Sequence, residues 1–305
     1  MKSGKYYFHI IALLAVAVWG ATFVSSKILL NNGLSATEIF IYRFLMAYAA
    51  MWIFASRRLF ANNVKDELLM AVVGFTGGSL YFIFENTAID LGAPLSNVSL
   101  LVATAPIWTA LLTKIIYPKE KMGANLWVGM AIAFAGCALV IFNGRFTLDI
   151  SNPGGHVLAL AAAVSWAVYS LVIKALSGRY SPVFITRKVF FYGVLTAIPF
   201  MYIPLTGTGE FNLAALTKPA VWGNLAFLGL VASMACFALW NVVIKKIGIV
   251  KSSNYLYLSP IFTIIASAMF VDEQITWVAV GGFVLIIGGL WIAERGLQTH
   301  NNEKK

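Results

Sequence analysis

The stretch YFIFENTAID, residues 81–90, sets one carboxylate, Glu85, inside an otherwise apolar run. An ionised carboxylate in such surroundings is costly unless a cation or hydrogen-bond donors compensate it. Three kinds of chemistry fit the position. Glu85 could join helices through a static salt bridge, or bind a solute and change partners as a gate. It could also take up and release a proton, because burial without a nearby cation favours the neutral form of a carboxylate. Of the twelve acidic residues, Glu85 alone lies well inside an apolar stretch. On a helix, Gly78, Tyr81 and Glu85 share one face, so a glycine and a phenol accompany the acid on what reads as an interior wall.

Aromatic and amide side chains supply further binding chemistry. Trp19 and Trp166 stand mid-stretch, away from the interfacial belt where many membrane tryptophans sit, and fit either solute stacking or packing. Asn97, Leu101, Thr104 and Trp108 form one helical face, and Tyr255, Ser259 and Phe262 form another. Asn86, Trp240 and Asn241 add two amides and an indole. Such groups can hydrogen-bond a small molecule in a mainly apolar cavity, or bond one another between helices. Pro106 and Pro260 lack the N–H needed for helical hydrogen bonding and mark candidate kinks. His9, His156 and His300 show no metal-ligand spacing, and no phosphate-cradling GxxxxGK[ST] run occurs. No metal, cofactor or catalytic residue is expected, and the chain does not read as an enzyme.

Most of the chain is suited to lipid. Of 305 residues, 60% are hydrophobic and 11% charged, where a soluble domain carries roughly 25% charged residues; mean hydropathy is +0.82. Ten apolar stretches are close to the length of about 20 residues that spans a bilayer: 8–28, 36–55, 68–89, 94–116, 123–142, 154–175, 182–203, 220–244, 250–271 and 276–293. Ala15-Val16-Ala17 mimics a signal-peptide cleavage site, but the apolar run continues past it. Cys137 and Cys236 lie inside stretches and form no spacing motif.

The net charge of +10 is distributed by side. With a cytoplasmic N-terminus, 18 Lys and Arg fall inside and only Lys27, Arg145 and Lys218 outside, with Arg43 within a span. The inside set runs from Lys2, Lys5 and Arg57 through Lys121 to Lys304 and Lys305. That bias orients membrane proteins, so both termini are expected in the cytoplasm, and the basic balance needs no nucleic acid to explain it. In this orientation Glu85 and Arg43 both lie roughly 10 Å below the outer surface, at 1.5 Å of rise per helical residue. A Glu85–Arg43 ion pair, shared with Lys27, is the expected compensation.

The chain repeats itself. HIIALLAVAVWGATFVSSK (His9 to Lys27) aligns without a gap on HVLALAAAVSWAVYSLVIK (His156 to Lys174), pairing Trp19 with Trp166. FIYR meets FITR, Pro106 meets Pro260 and Glu120 meets Glu273. Gly129 and Gly136 repeat the spacing of Gly281 and Gly288, presenting small residues for close helix packing. Five spans per copy is an odd number, so the second copy enters the membrane from the opposite side. Two such halves, 1–147 and 148–305, can enclose a site that opens to either side.

The order of WGATFVSSK, IYRF, TAPIWTALL, PKEKMGANLWVGMAIAFAG and LSPIFTIIASAMFVDEQITWVAVGGFVLIIGG resembles the drug/metabolite transporter superfamily, specifically its EamA-type ten-helix members. The second copy departs from the pattern where Ala167 replaces Gly20. The resemblance implies a bacterial inner-membrane carrier, commonly an exporter of amino acids or other small metabolites, with a cavity between the halves. The expected molecule is an all-α membrane protein of ten transmembrane helices in two inverted five-helix repeats. It would move a small-molecule solute by alternating access among membrane lipids, driven by a solute or proton gradient. Sugars, nucleosides or drug-like compounds are alternative cargo, and a non-transporting scaffold or receptor is the rival class. Oligomeric state is left open.

Overall fold

In lipid, a chain with few charges must satisfy its backbone polar groups internally, and helices do so within one segment. The computed structural model describes residues 3–54, 58–93, 95–120, 122–142, 153–203, 205–206, 210–270 and 275–302. Every regular element among them is helical. Nine helices among the described residues are long and apolar enough to cross a membrane. We label the helices in chain order: α1 Ser3–Asn31, α2 Ala36–Phe54, α3 Val64–Asp90, α4 Leu95–Val102 continuing as Ala105–Ile116, and α5 Ala124–Phe142. The second copy supplies α6 Pro153–Ser177, α7 Pro182–Tyr202, α8 Pro219–Ile247, a segmented α9, and α10 Trp277–Asn302. The tenth expected span, 250–271, is thus the exception. It is Ile249–Asn254, a 3-10 turn at Tyr255–Leu258, and Ser259–Phe270. Lys2, Arg57, Lys121, Arg145, Glu273, Lys304 and Lys305 lie outside the described residues.

Helix starts follow local sequence. Ser35 and Glu38 form a reciprocal capping box at α2: the Ser35 amide donates to Glu38 Oε2 (2.8 Å) and the Glu38 amide to Ser35 Oγ (3.2 Å). Asn63 caps α3 by accepting from the Asp66 amide at 2.8 Å. Gly92 and Gly248 adopt φ of +85° and +92° at the same junction of each copy, third helix to fourth. Most residues resist that conformation, and glycine does not.

Each copy packs into the other. α1 lies against α8 and α9, while α6 lies against α3 and α4. α2 meets α8 as α7 meets α3, and α5 runs along α10. Exchanging the copies maps these pairings onto one another, and the odd helix count per copy makes the arrangement inverted. The α5–α10 seam depends on glycine. A Cβ on Gly282 would lie 2.7 Å from the Gly136 carbonyl oxygen, and one on Gly289 2.6 Å from the Gly129 carbonyl oxygen. This corrects the pairing expected from spacing alone: Gly281 and Gly288 face open space, one residue away from the contact face. The outer surface is apolar, with Trp277 88% and Ile53 78% exposed, as lipid contact requires.

Candidate functional site

Between the copies lies a narrow cavity of about 60 Å³, smaller in this conformation than most small-molecule sites. Both copies build its wall. α1 contributes Trp19, Thr22 and Phe23; α3 contributes Tyr81, Phe82 and Glu85; α4 contributes Ser99, Val102, Ala103 and Ala105. From the second copy come Trp166 on α6, Phe237 on α8, and Leu256, Ser259, Pro260 and Thr263 on α9.

Two features of the backbone shape this wall. π-helical turns occupy Phe75–Leu80 of α3 and Phe227–Ala235 of α8, the third helix of each copy. Such turns widen a helix locally and are frequent at functional sites. Each receives a hydrogen bond from the first helix of the other copy. Trp19 Nε1 donates to the Ala232 carbonyl (2.9 Å), and Ser165 Oγ to the Thr76 carbonyl (2.7 Å). The second feature is the pair of prolines. Sequence alone places Pro106 and Pro260 as mid-helix kinks, but each instead sits at the start of a new helical segment, after Thr104 and Leu258. There a missing N–H costs least.

Trp19 and Trp166 meet edge to face, with centroids 5.4 Å apart, and Tyr81 packs on Trp166 at 5.1 Å. The Tyr81 hydroxyl donates to Glu85 Oε1 at 3.1 Å. The expected Glu85–Arg43–Lys27 ion pair is not formed, since no cation lies within 4.0 Å of Glu85 among the described residues. Arg43 is held elsewhere. Its Nε donates to Ser233 Oγ (2.9 Å), and its guanidinium stacks 4.1 Å from the Phe82 ring centroid. Lys27 is half-buried and joins no ion pair among the described residues.

Of the other residues singled out from sequence for binding, Ser259 reaches the wall and five do not; of the two prolines, Pro260 reaches it and Pro106 does not. Trp240 is fully buried behind Trp19, at a centroid distance of 4.9 Å. Asn241 accepts from the Tyr169 hydroxyl and donates to Thr186 Oγ1, both at 2.8 Å, tying α6, α7 and α8 together. Asn86 is buried with neither amide atom hydrogen-bonded. Asn97 and Tyr255 contact the two repeat-equivalent histidines. Asn97 Nδ2 and His156 Nε2 share a hydrogen bond of 3.0 Å, and Tyr255 hydroxyl and His9 Nδ1 one of 2.6 Å. Odd and even helices start at opposite ends of the bundle, so these contacts close the α1–α9 seam at one end and the α4–α6 seam at the other.

The face predicted for α4 is also corrected. Thr104 Oγ1 donates to the Leu101 carbonyl at 2.6 Å and accepts from Trp108 Nε1 at 3.2 Å, all within the helix. Ser99, Val102 and Ala103 face the cavity instead. Thr22, Ser99 and Thr263 were missed, since small hydroxyl residues in apolar helices carry no distinguishing pattern. Arg43's partner Ser233 was missed for the same reason. A signal for Glu85's setting does exist: aligning GFTGGSLYFIFEN with GLVASMACFALWN pairs Gly74 with Gly229, Phe82 with Phe237 and Asn86 with Asn241. It sets Trp240 at the place of Glu85, so the acid is what the second copy lacks.

A second group of polar contacts lies near the α3 and α7 ends. Glu67 pairs with Lys188 and accepts from the Tyr192 hydroxyl at 2.5 Å, while Asp66 pairs with Arg179 and accepts from the Tyr180 hydroxyl at 2.8 Å. These contacts fasten the two copies to each other away from the cavity.

The sequence profile of the EamA-like transporter family matches twice, over residues 7–142 and 153–294. A "Probable amino-acid metabolite efflux pump" of Escherichia coli is 26% identical, covering 95% of both chains. A "Probable terminal-alkyne amino-acid exporter" of Streptantibioticus cattleyicolor is 25% identical over 93% of this chain and 92% of its own. An "Uncharacterized transporter" of Archaeoglobus fulgidus is 25% identical over 92% and 95%. One solved crystal structure superposes with a TM-score of 0.71 over 96% of this chain and 97% of the other, at 18% identity.

Proposed function

The chain belongs to the EamA-like transporter family and is a multi-pass membrane transporter, and from that premise we propose that it exports small organic metabolites, amino acids or related solutes, by alternating access. The halves 1–147 and 148–305 would rock about the central cavity in a bacterial inner membrane, with both termini in the cytoplasm. The observation that carries this reading is joint ownership of the wall: α1, α3 and α4 face α6, α8 and α9 across one space. Any relative movement of the copies therefore reshapes the cavity. The printed names of the E. coli and S. cattleyicolor relatives support amino-acid-like cargo and outward movement.

The two histidine contacts give the movement a physical form. Opening the end near His9 separates it from Tyr255, and opening the other separates His156 from Asn97. Each contact centres on one hydrogen bond, with a net worth of about 0.5–1.5 kcal/mol, and the His9 and Tyr255 rings also meet at 5.8 Å. Exchanging one for the other is therefore close to balanced, and a solute bound more tightly in one state shifts the population.

Counterflow tests the reading. Purified protein in sealed vesicles preloaded with unlabelled amino acids should accumulate an external labelled amino acid transiently and saturably, and Glu85→Gln should slow this at least tenfold. Absence of exchange across an amino-acid and small-metabolite panel would overturn it.

A further inference from the structure

The wall of the central cavity carries one carboxylate, several aromatic rings and no cation. Four of its hydrogen-bond donors are committed to protein acceptors: Trp19 Nε1 to the Ala232 carbonyl, Tyr81 to Glu85, Thr22 Oγ1 to the Trp19 carbonyl at 2.7 Å, and Thr263 Oγ1 to the Gly20 carbonyl at 2.9 Å, while the Ser99 and Ser259 hydroxyls stay adaptable, able to donate or accept. Trp166 Nε1 has no acceptor, but it is covered by protein. No lysine, arginine or histidine is among the wall residues. Arg43 lies outside the wall, with Nε bonded to Ser233, the guanidinium stacked on Phe82, and Nη2 buried without a hydrogen-bond partner.

What remains facing the space is electron-rich. Glu85 supplies a carboxylate with a single hydroxyl donor. The rings of Trp19, Trp166 and Tyr81 are inclined at 84° and 54° in successive pairs, so their faces turn in different directions around one corner. Aromatic faces attract cations within about 6 Å, tryptophan most strongly. The prolines add to this. Each lacks the N–H that would bond the carbonyl four residues earlier, and those residues, Val102 and Leu256, are both in the wall. The Leu256 carbonyl takes the Ser259 amide instead, which leaves a second lone pair.

Building on the reading of this cavity as the solute site, we infer that it takes the cationic end of its solute, a primary or quaternary ammonium, between Glu85 and the faces of Trp19, Trp166 and Tyr81. A solute with a carboxylate as its sole charge is refused. Binding rests on lone pairs and ring faces, so the nitrogen's charge matters more than its number of N–H groups.

Three phenyl compounds of one size test this on the full-length protein in detergent: phenethylamine, L-phenylalanine and 3-phenylpropionate. Binding is read from tryptophan fluorescence and thermal stabilisation. The amine and the zwitterion should bind saturably and the anion at least tenfold more weakly. Glu85→Gln should weaken amine binding at least tenfold, and Glu85→Asp less. If Glu85→Gln does not fold, Trp166→Phe should retain amine binding and Trp166→Leu should lose it. Equal or tighter binding of the anion overturns the ammonium inference and leaves the transporter reading intact. Amine binding unchanged in Glu85→Gln, or equal in the two Trp166 variants, overturns it as well. A chain that neither binds any of the three nor exchanges solutes in vesicles loses both.

Discussion

Glu85 and Arg43 stand in one neighbourhood without touching, and that separation has consequences at the residue scale. Glu85 relies on Tyr81, and Arg43 relies on Ser233 and the Phe82 ring. Tyr81→Phe removes the one hydroxyl donated to the carboxylate. A buried polar group deprived of its partner costs about 1–3 kcal/mol, so the variant should melt lower in detergent by several degrees. Exchanging the charges, Arg43→Glu with Glu85→Arg, should not restore the transport that either change abolishes, as measured by counterflow. Sequence made Glu85, Tyr81 and both tryptophans legible, because an acid among apolar residues and a repeated indole are rare signals. It could not supply Arg43's true partner, since depth in the membrane fixes the height of a side chain and not the neighbour it turns toward.

Elements meet most closely at the α5–α10 seam, where backbone lies against backbone. Gly282→Ala would press a methyl group on the Gly136 carbonyl oxygen. Overpacking of this kind typically costs about 1–3 kcal/mol. Gly281→Ala meets nothing within 4 Å and gains helix propensity of about 1 kcal/mol. Thermal melts of the two variants should therefore move in opposite directions. Seven-residue spacing predicted that glycines join these helices, yet it selected the wrong member of each Gly-Gly pair, because 281 and 288 have the same period as 282 and 289. The broken fourth helices were legible only as prolines. Their placement at segment starts, and the turn of Ser99 toward the cavity, depend on packing between copies. The π-helical turns have no sequence signal of comparable strength. Glycine at 77 fits its turn because the Tyr169 ring occupies the space a side chain would fill.

Over the whole molecule, two inverted copies put chemically similar latches at opposite ends, His9 with Tyr255 and His156 with Asn97. The duplication, nine of the ten spans and the all-α class were readable because lipid leaves few structural choices and because the repeat is gapless where it matters. The asymmetry of the site was not readable from the duplication: Glu85 has no acidic counterpart, and only the three-dimensional wall shows how the copies share the cavity. Tags on both termini should be accessible from the cytoplasmic face alone. Two cysteine pairs, His9→Cys with Tyr255→Cys and His156→Cys with Asn97→Cys, introduced separately after removal of Cys137 and Cys236, should each cross-link, and each cross-link should abolish counterflow.

The most direct measurement uses these cross-links with Ser99→Cys in the same background, a cysteine in the cavity wall probed by a membrane-impermeant thiol reagent in sealed vesicles of known orientation. Locking the His9–Tyr255 end should leave Ser99→Cys labelled from the periplasmic side alone. Locking the His156–Asn97 end should leave it labelled from the cytoplasmic side alone. Labelling from one fixed side whichever end is locked would contradict alternating access through this cavity.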